Sequence, residues 1–299
     1  MTAAVDFRLT EDQRALRRGV RDLLARLFDR DALRAAVDAG GLDRGLWREL
    51  GAAGFFALRL PEEEGGVGLG LPEAVLVFEE AGRALLPGPL VATHLAAGSV
   101  PGAAEGDVVV TEAAEGLVPW LDEADVVLGD ARGAAPMRSV DPLTPLHRVP
   151  DPGGSANGAG PTVLRHAAAV LLTAAEQVGS AERTTEAAVR YAREREQFGT
   201  AIGGFQAVKH LCAGMLVRTE LARAAVRAAS LTGDPVEAAG AKLLADRAAT
   251  GNARDCLQVH GGMGFTWEAD VHLHLKRAWV RAELRLPAAR AEEAMAAAL

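Results

Sequence analysis

At 299 residues the chain has room for two or three domains, or for one large domain with an elongated bundle. Hydrophobic residues make up 49% and charged residues 24%, a balance that excludes a disordered chain and fits a soluble globular one. The net charge is −8, and 29 of the 32 basic residues are Arg with no basic run among them, which argues against a nucleic-acid partner. Aromatic residues are only 4%, so the core must be built from Ala, Leu and Val, a composition suited to long, closely packed helices. The opening Met-Thr-Ala-Ala-Val-Asp-Phe-Arg has no charged region followed by an apolar one. No uncharged stretch approaches the ~20 residues needed to span a bilayer, so no membrane association and a cytoplasmic location are expected.

Thr10-Glu-Asp-Gln13 reads as a capping box, and Leu16, Val20, Leu23, Leu24 and Leu27 follow at helical spacing. Asp43 before Trp47, Leu50 and Gly51 announces a second helix. Leu60-Pro-Glu-Glu-Glu-Gly-Gly-Val-Gly68 breaks regular structure, and Pro72 starts a further apolar helix through Phe78 to Ala84, ended by Pro87 and Pro89. Residues 1–97 are therefore expected to form an all-helical domain. Between 98 and 160 the texture changes to short apolar runs, Val108-Val-Val-Thr111 and Ala124-Asp-Val-Val-Leu128, crowded by Pro and Gly. That stretch predicts a small strand-containing segment, with 150–161 as a flexible linker. From Thr162 a helix is predicted to run to about Glu194, roughly 50 Å, a length that suits a bundle over 161–299. A last helix is expected from near Trp267, pausing at Pro287.

Two polar turns stand 59 residues apart, Arg193-Glu-Arg-Glu-Gln-Phe-Gly199 and Gln258-Val-His-Gly-Gly-Met-Gly-Phe265. Between them lie two helical stretches, from about Gly204 to Leu231 and from Pro235 to about Gln258, separated by a Thr-Gly-Asp break. An antiparallel hairpin of these helices brings both turns to one end of the bundle. Together they offer Arg, amide side chains, an aromatic ring and close-approach glycines, which suits a flat-ringed cofactor bearing phosphates. A lone run such as Arg193, Glu194, Arg195 and Glu196 reads as a solvated helix end; the paired turns reverse that preference.

These segments, with Pro61-Glu-Glu-Glu-Gly-Gly-Val-Gly68 and Glu79-Glu-Ala-Gly-Arg83, resemble the acyl-CoA dehydrogenase family in the order in which they occur. The resemblance implies a mainly α fold with an N-terminal helical domain, a reduced β middle segment and a C-terminal four-helix bundle. It also implies FAD, held mainly by a neighbouring subunit. By resemblance Arg195 would meet the FAD pyrophosphate, with Gln197 and Phe198 beside the cofactor and Gln206 nearby. Gln258, Gly261 and Gly262 would approach the dinucleotide through an amide and bare backbone.

Two departures from the family pattern stand out. The middle segment is much shorter than the family's: Trp120-Leu-Asp-Glu-Ala-Asp125 resembles the strand that faces the flavin ring, but the loop expected after Thr111-Glu112 is missing. Neither position at which the family carries its carboxylate base holds a carboxylate, since Arg285 and Ala169 stand there; Glu283 is two residues away and reads as a surface carboxylate. No catalytic residue is therefore assigned. Cys212 and Cys256 have no metal-ligand spacing and read as core residues, and His272 and His274 are two apart on a helix and poor joint ligands, so no metal is expected. His260 is expected to line the cofactor region.

Gly264-Phe-Thr-Trp-Glu-Ala-Asp-Val-His-Leu-His-Leu-Lys-Arg277 resembles the short bacterial members that work as two-gene, heteromeric enzymes. The leading expectation is a subunit for α,β-dehydrogenation of an acyl-CoA, or of an acyl-carrier substrate, that completes the FAD site of a second acyl-CoA dehydrogenase subunit supplying the base. An electron-transferring flavoprotein is the acceptor this implies. The alternatives are a self-sufficient homo-oligomeric dehydrogenase with an unmatched base, and a flavin-free helical scaffold.

Overall fold

The computed structural model describes residues 8–150 and 161–298; the linker read at 150–161 lies, except for its ends, outside the described residues. Helix α1 (Glu11–Leu27) opens on the expected box: Thr10 Oγ1 accepts from the Gln13 N–H at 3.2 Å, and Gln13 Oε1 accepts from the Thr10 N–H at 3.1 Å. Helix α2 (Arg30–Ala39) has no counterpart among the expected elements. Its buried stripe is only Leu33 and Val37, too short a pattern to announce it, and its start rests on Asp29, which accepts from the Ala32 N–H at 2.9 Å. Helix α3 (Arg44–Ala52) begins where Asp43 caps Gly45 and Leu46. After the irregular 60–68 loop come α4 (Leu71–Ala84), with Pro72 in its first turn, and α5 (Leu90–Ala96).

The middle segment holds five three-residue strands: β1 (Val110–Glu112), β2 (Leu117–Pro119), β3 (Val126–Leu128), β4 (Ala135–Met137) and β5 (Leu146–Arg148). Strands β1 and β3 pair in parallel with Val110 opposite Val126. A second sheet has the antiparallel order β2-β5-β4, with His147 between Val118 and Pro136. The two apolar runs seen in the sequence thus supply one sheet. The 120–125 stretch that resembled a flavin-facing strand is different: Trp120 takes a left-handed conformation (φ 60°) and a 3-10 turn over Leu121–Glu123 follows.

The C-terminal part is α6 (Pro161–Glu194), a hairpin of β6 (Glu196–Gln197) and β7 (Thr200–Ala201), then α7 (Gln206–Thr232), α8 (Pro235–His260), α9 (Val271–Glu283) and α10 (Ala288–Ala296). Gly233 takes the left-handed position that ends α7 (φ 65°), and Asp234 accepts from the Val236 and Glu237 N–H groups at 2.8 and 2.9 Å to start α8. Ala238, Ala241, Ala245 and Ala248 of α8 are buried in the main core, where small side chains let α6, α7 and α8 lie close. No helix of the described residues is long and apolar enough to cross a membrane.

The N-terminal helices join this bundle through a crossing of α4 on α6. A Cβ on Gly82 would stand 1.9 Å from the Glu176 carbonyl oxygen, and one on Gly179 would stand 1.7 Å from that of Glu79, so the two backbones touch. Beside the crossing, buried Glu80 accepts from Arg17 Nε and Arg21 Nε of α1, each at 2.7 Å. Its neighbour Glu79 accepts from Arg223 Nε and Arg227 Nη2 of α7, each at 3.3 Å. Four arginines from both sides therefore neutralise two carboxylates that α4 carries into the interior. Gly179→Ala is expected to destabilise the fold by roughly 3 kcal/mol in urea unfolding, the upper range for overpacking a tight core. Gly19→Ala in α1, where a Cβ meets nothing within 4 Å, should instead be neutral or stabilising by up to ~1 kcal/mol.

Candidate functional site

The two polar turns lie at one end of the bundle. Tyr191, in the last turn of α6, stacks on His260, the last residue of α8, with ring centroids 4.2 Å apart and planes 22° apart. Beneath them Ala188, Ala192, Met215, Ala253, Cys256 and Leu257 form a separate apolar cluster, so α6, α7 and α8 converge on a common floor. The His260 ring is set by its Nδ1–H, which donates to the Cys256 carbonyl at 2.8 Å.

On this floor the first turn is a two-residue hairpin. Glu196 pairs with Ala201 and Gln197 with Thr200, leaving Phe198 and Gly199 at its tip with φ of 54° and 78°. Two successive positive φ values give the mirror-image turn that matches strand twist, but Phe is costly at a position that Asn or Gly usually takes. Phe198 is nevertheless 93% exposed, held only edge-on by Phe205 at 6.2 Å between centroids. Strain kept at an exposed aromatic residue points to a use for it. Arg195 is exposed, and its guanidinium makes no hydrogen bond or ion pair with a described residue; its backbone alone is engaged, through Tyr191 and Ile202. Gln197 is exposed with its amide on the Glu196 carbonyl at 2.8 Å.

The second turn follows α8. Gln258 is exposed, its carbonyl taking the Gly261 N–H. Gly261 adopts φ 57° and ψ −141°, a conformation essentially confined to glycine. A Cβ on Gly261 or Gly262 would meet no protein atom within 4 Å, so their backbone faces open space. Gln206, the first residue of α7, is exposed at the same end. Met263 and Phe265 (74% exposed) extend the apolar margin begun by Phe198. Sequence reasoning did not single out these two, because apolar residues in a glycine-rich turn carry no signal until the turn is placed.

The position at which the family carries its base is built differently. Arg285 is 8% exposed and its Nε donates to Glu112 Oε2 of β1 at 3.2 Å. On α9 itself, four and eight residues earlier in the chain, Arg281 Nη2 donates to buried Glu176 of α6 at 2.7 Å, and Arg277 Nε donates to buried Asp141 while its Nη1 reaches the Leu86 carbonyl at 3.2 Å. Burial brings the Arg281 guanidinium down to about 10, against the pull of Glu176. The space these residues share with Trp120, Thr144 and Thr173 is about 40 Å³, enough for a water molecule or so and far short of a ligand pocket. Ala169, at the alternative base position, is buried, and Glu283 is exposed.

The isolated cysteines and histidines have structural settings. Cys256 is buried and its thiol is pushed up to about 12 by burial, while Cys212 is half-buried. No three His, Cys, Asp or Glu residues cluster as metal ligands among the described residues. His272 stacks on Trp267 at 4.9 Å, and His274 faces the other way, its Nδ1 2.8 Å from Ser180 Oγ.

Residues 10–106 match the family model for the N-terminal domain of acyl-CoA dehydrogenases, and 167–284 match that for the C-terminal domain. The acyl-CoA dehydrogenase IpdE2 of Mycobacterium tuberculosis is 38% identical over 309 aligned positions, covering 92% of this chain and 93% of that protein. The chain belongs to the acyl-CoA dehydrogenase family. Another member, FadE34 of Mycobacterium tuberculosis, is 35% identical over 90% of this chain, yet the match takes up only 45% of FadE34. Among solved structures, a variant of the steroid ACAD Tcur3481-Tcur3483 superposes with a TM-score of 0.82 at 24% identity, covering 96% of this chain and 97% of that one, which shows the shared fold. The mainly helical architecture of the acyl-CoA dehydrogenases is thus the one expected from the motifs, with few and short strands in the middle.

Within this family member, His274 gives a pH dependence. Burial first, then the charges of Arg183, Arg281, Arg277 and Arg83, bring its pKa from 6.5 to about 3. Its folded pKa lies below its unfolded one, so its stabilising contribution is complete above pH 6.5 and falls progressively between pH 6.5 and about 3, where the unfolded chain takes up a proton that the native one refuses. Between pH 7.5 and 5 the wild-type chain should lose roughly 2 kcal/mol more unfolding free energy than His274→Gln, measured by urea titration at both pH values.

Proposed function

We propose that this chain is one subunit of a heteromeric acyl-CoA dehydrogenase, in which it grips the diphosphate end of FAD while a second acyl-CoA dehydrogenase subunit holds the flavin ring and supplies the catalytic base. The observation that carries this reading is Arg285. In place of a carboxylate able to take a proton from the acyl α-carbon, that position holds a permanently charged group bound to Glu112, and the surrounding space is packed with ion pairs. At that position there is no carboxylate to act as base, and the space beside it is too small for an acyl thioester.

The residues at the two turns fit the phosphate end of FAD and not its ring. Arg195 presents a forked donor with no partner among the described residues, and Gly261 and Gly262 leave backbone N–H groups open to close approach. The amides of Gln197, Gln206 and Gln258 stand at the same end, with Phe198 as an apolar flank. Trp120, in the stretch that resembled a flavin-facing strand, is buried, its backbone N–H on the Pro145 carbonyl. When bound, FAD supplies the hydride acceptor for α,β-dehydrogenation. An electron-transferring flavoprotein is the acceptor implied for its electrons.

Two comparisons support a two-subunit arrangement. The Tcur3481-Tcur3483 structure carries two gene designations in its name. FadE34 has length for a second unit of about this size beside the part that matches. The reading predicts that the chain purified alone is colourless, and that it becomes yellow, with flavin reducible by an acyl-CoA, when co-expressed with a neighbouring acyl-CoA dehydrogenase gene. A yellow, acyl-CoA-reducible preparation of the chain alone would overturn the partner requirement, and absence of flavin from both preparations would favour a scaffold. In the assembled complex Arg195→Ala should weaken FAD retention by roughly 1.5 to 3 kcal/mol, the contribution of a charge-assisted hydrogen bond, read by equilibrium dialysis of the flavin. Unchanged retention would remove Arg195 from the site.

A further inference from the structure

A cleft of about 370 Å³ lies where the α1–α2 corner overhangs α4, α6 and the start of α9. Its floor is apolar, made by Leu24, Phe28, Leu33 and Leu85, and its walls carry Arg183 and His274 among other charged groups. It shares no residue with the two polar turns, so an inference about it stands whether or not those turns hold FAD.

The charges around the cleft balance at every position except one. Glu80 is bound by Arg17 and Arg21, and Asp270 by Arg30 at 2.6 Å and Arg34 at 2.8 Å. Asp29 caps α2, and Arg83 donates to Glu186 at 2.8 Å. Arg183 is the exception: half-buried, it donates no hydrogen bond to a described residue, and its one ion pair is with Glu186 at the outer limit of 4.0 Å, a carboxylate already held by Arg83. Burial and the neighbouring Arg83 and Arg190 charges act against its cation. Burial, and then the same positive field, keep His274 neutral, so that ring adds no second charge to the wall. A partly desolvated guanidinium with no hydrogen-bonded carboxylate, helped only by Glu186 at 4.0 Å and by the field of Asp270, and set over an apolar floor, has its forked donor edge unfilled.

We propose that this cleft binds an amphiphilic carboxylate, its head group in a forked contact with Arg183 and its aliphatic body on Leu24, Phe28, Leu33 and Leu85. One unbalanced cation matches a monoanion, and a planar carboxylate matches the geometry of guanidinium. The volume lies in the range of small-molecule pockets. A phosphate dianion finds no second cation without a hydrogen-bonded carboxylate among the described lining residues, and a neutral chain leaves the donor edge of Arg183 unfilled.

Isothermal titration calorimetry of the full chain with octanoate and with 1-octanol tests the assignment. Saturable octanoate binding at least tenfold tighter than octanol binding is expected. Arg183→Gln should bring octanoate to the octanol level, with Arg183→Lys restoring part of the difference and Leu33→Trp, which fills the floor, weakening both ligands. Equal binding of octanoate and octanol to the wild-type chain, no saturable octanoate binding, or octanoate binding to R183Q within twofold of wild type would each overturn the proposal. The octanoate and octanol comparison needs no variant, so it decides the head-group claim even where R183Q fails to fold.

Discussion

Helices α4 and α6 cross with their backbones in contact because neither Gly82 nor Gly179 carries a side chain to hold them apart, and the close approach sets the depth at which everything else sits. It carries Glu79 and Glu80 into the interior, where bare carboxylates would be strongly unfavourable. Arginines arrive from α1 on one side and from α7 on the other to neutralise them. The N-terminal helices and the bundle are thereby fixed to each other by geometry and by charge at one place. Removing the two carboxylates would leave Arg227 without an ion-pair partner among the described residues, and Arg17, Arg21 and Arg223 with Glu182 and Glu220 alone.

A similar economy of buried charge occupies the centre where an acyl-CoA dehydrogenase would place its chemistry. Arg277 and Arg281, on successive turns of α9, and Arg285 just past its end meet Asp141, Glu176 and Glu112, which come from the middle segment and α6. Further into the bundle, Lys242 continues the chain of contacts, its Nζ on Asp246 at 2.5 Å and on the Arg281 carbonyl at 3.1 Å. Together they fasten the short sheets to the bundle with groups that would otherwise demand water.

How much of this was legible beforehand depended on the range of the interaction. Local signals were read correctly: the box at Thr10, the cap at Asp43 and the break at Gly233 and Asp234 each act within four residues, and each begins or ends a helix where expected. The meeting of the two turns was legible too, because hairpin geometry follows from helix length. Helix α2 was missed, since two buried residues four apart make no periodic pattern, and the 120–125 stretch turned out to bend rather than extend. The ion pairs were out of reach for another reason: Asp141 and Arg277 are 136 positions apart, and nothing in either neighbourhood names the other. The same holds for Arg183, whose lack of a hydrogen-bonded carboxylate among the described residues can be known only once its neighbours are placed.

Phe198 sits at the tip of a two-residue turn with a positive φ, its ring 93% exposed. Met263 and Phe265 leave two more large apolar side chains exposed after α8, at the same end of the bundle. Apolar side chains held out in water are what chaperones and proteases recognise, so while this end is bare the folded chain carries a mark that unfolded chains also carry.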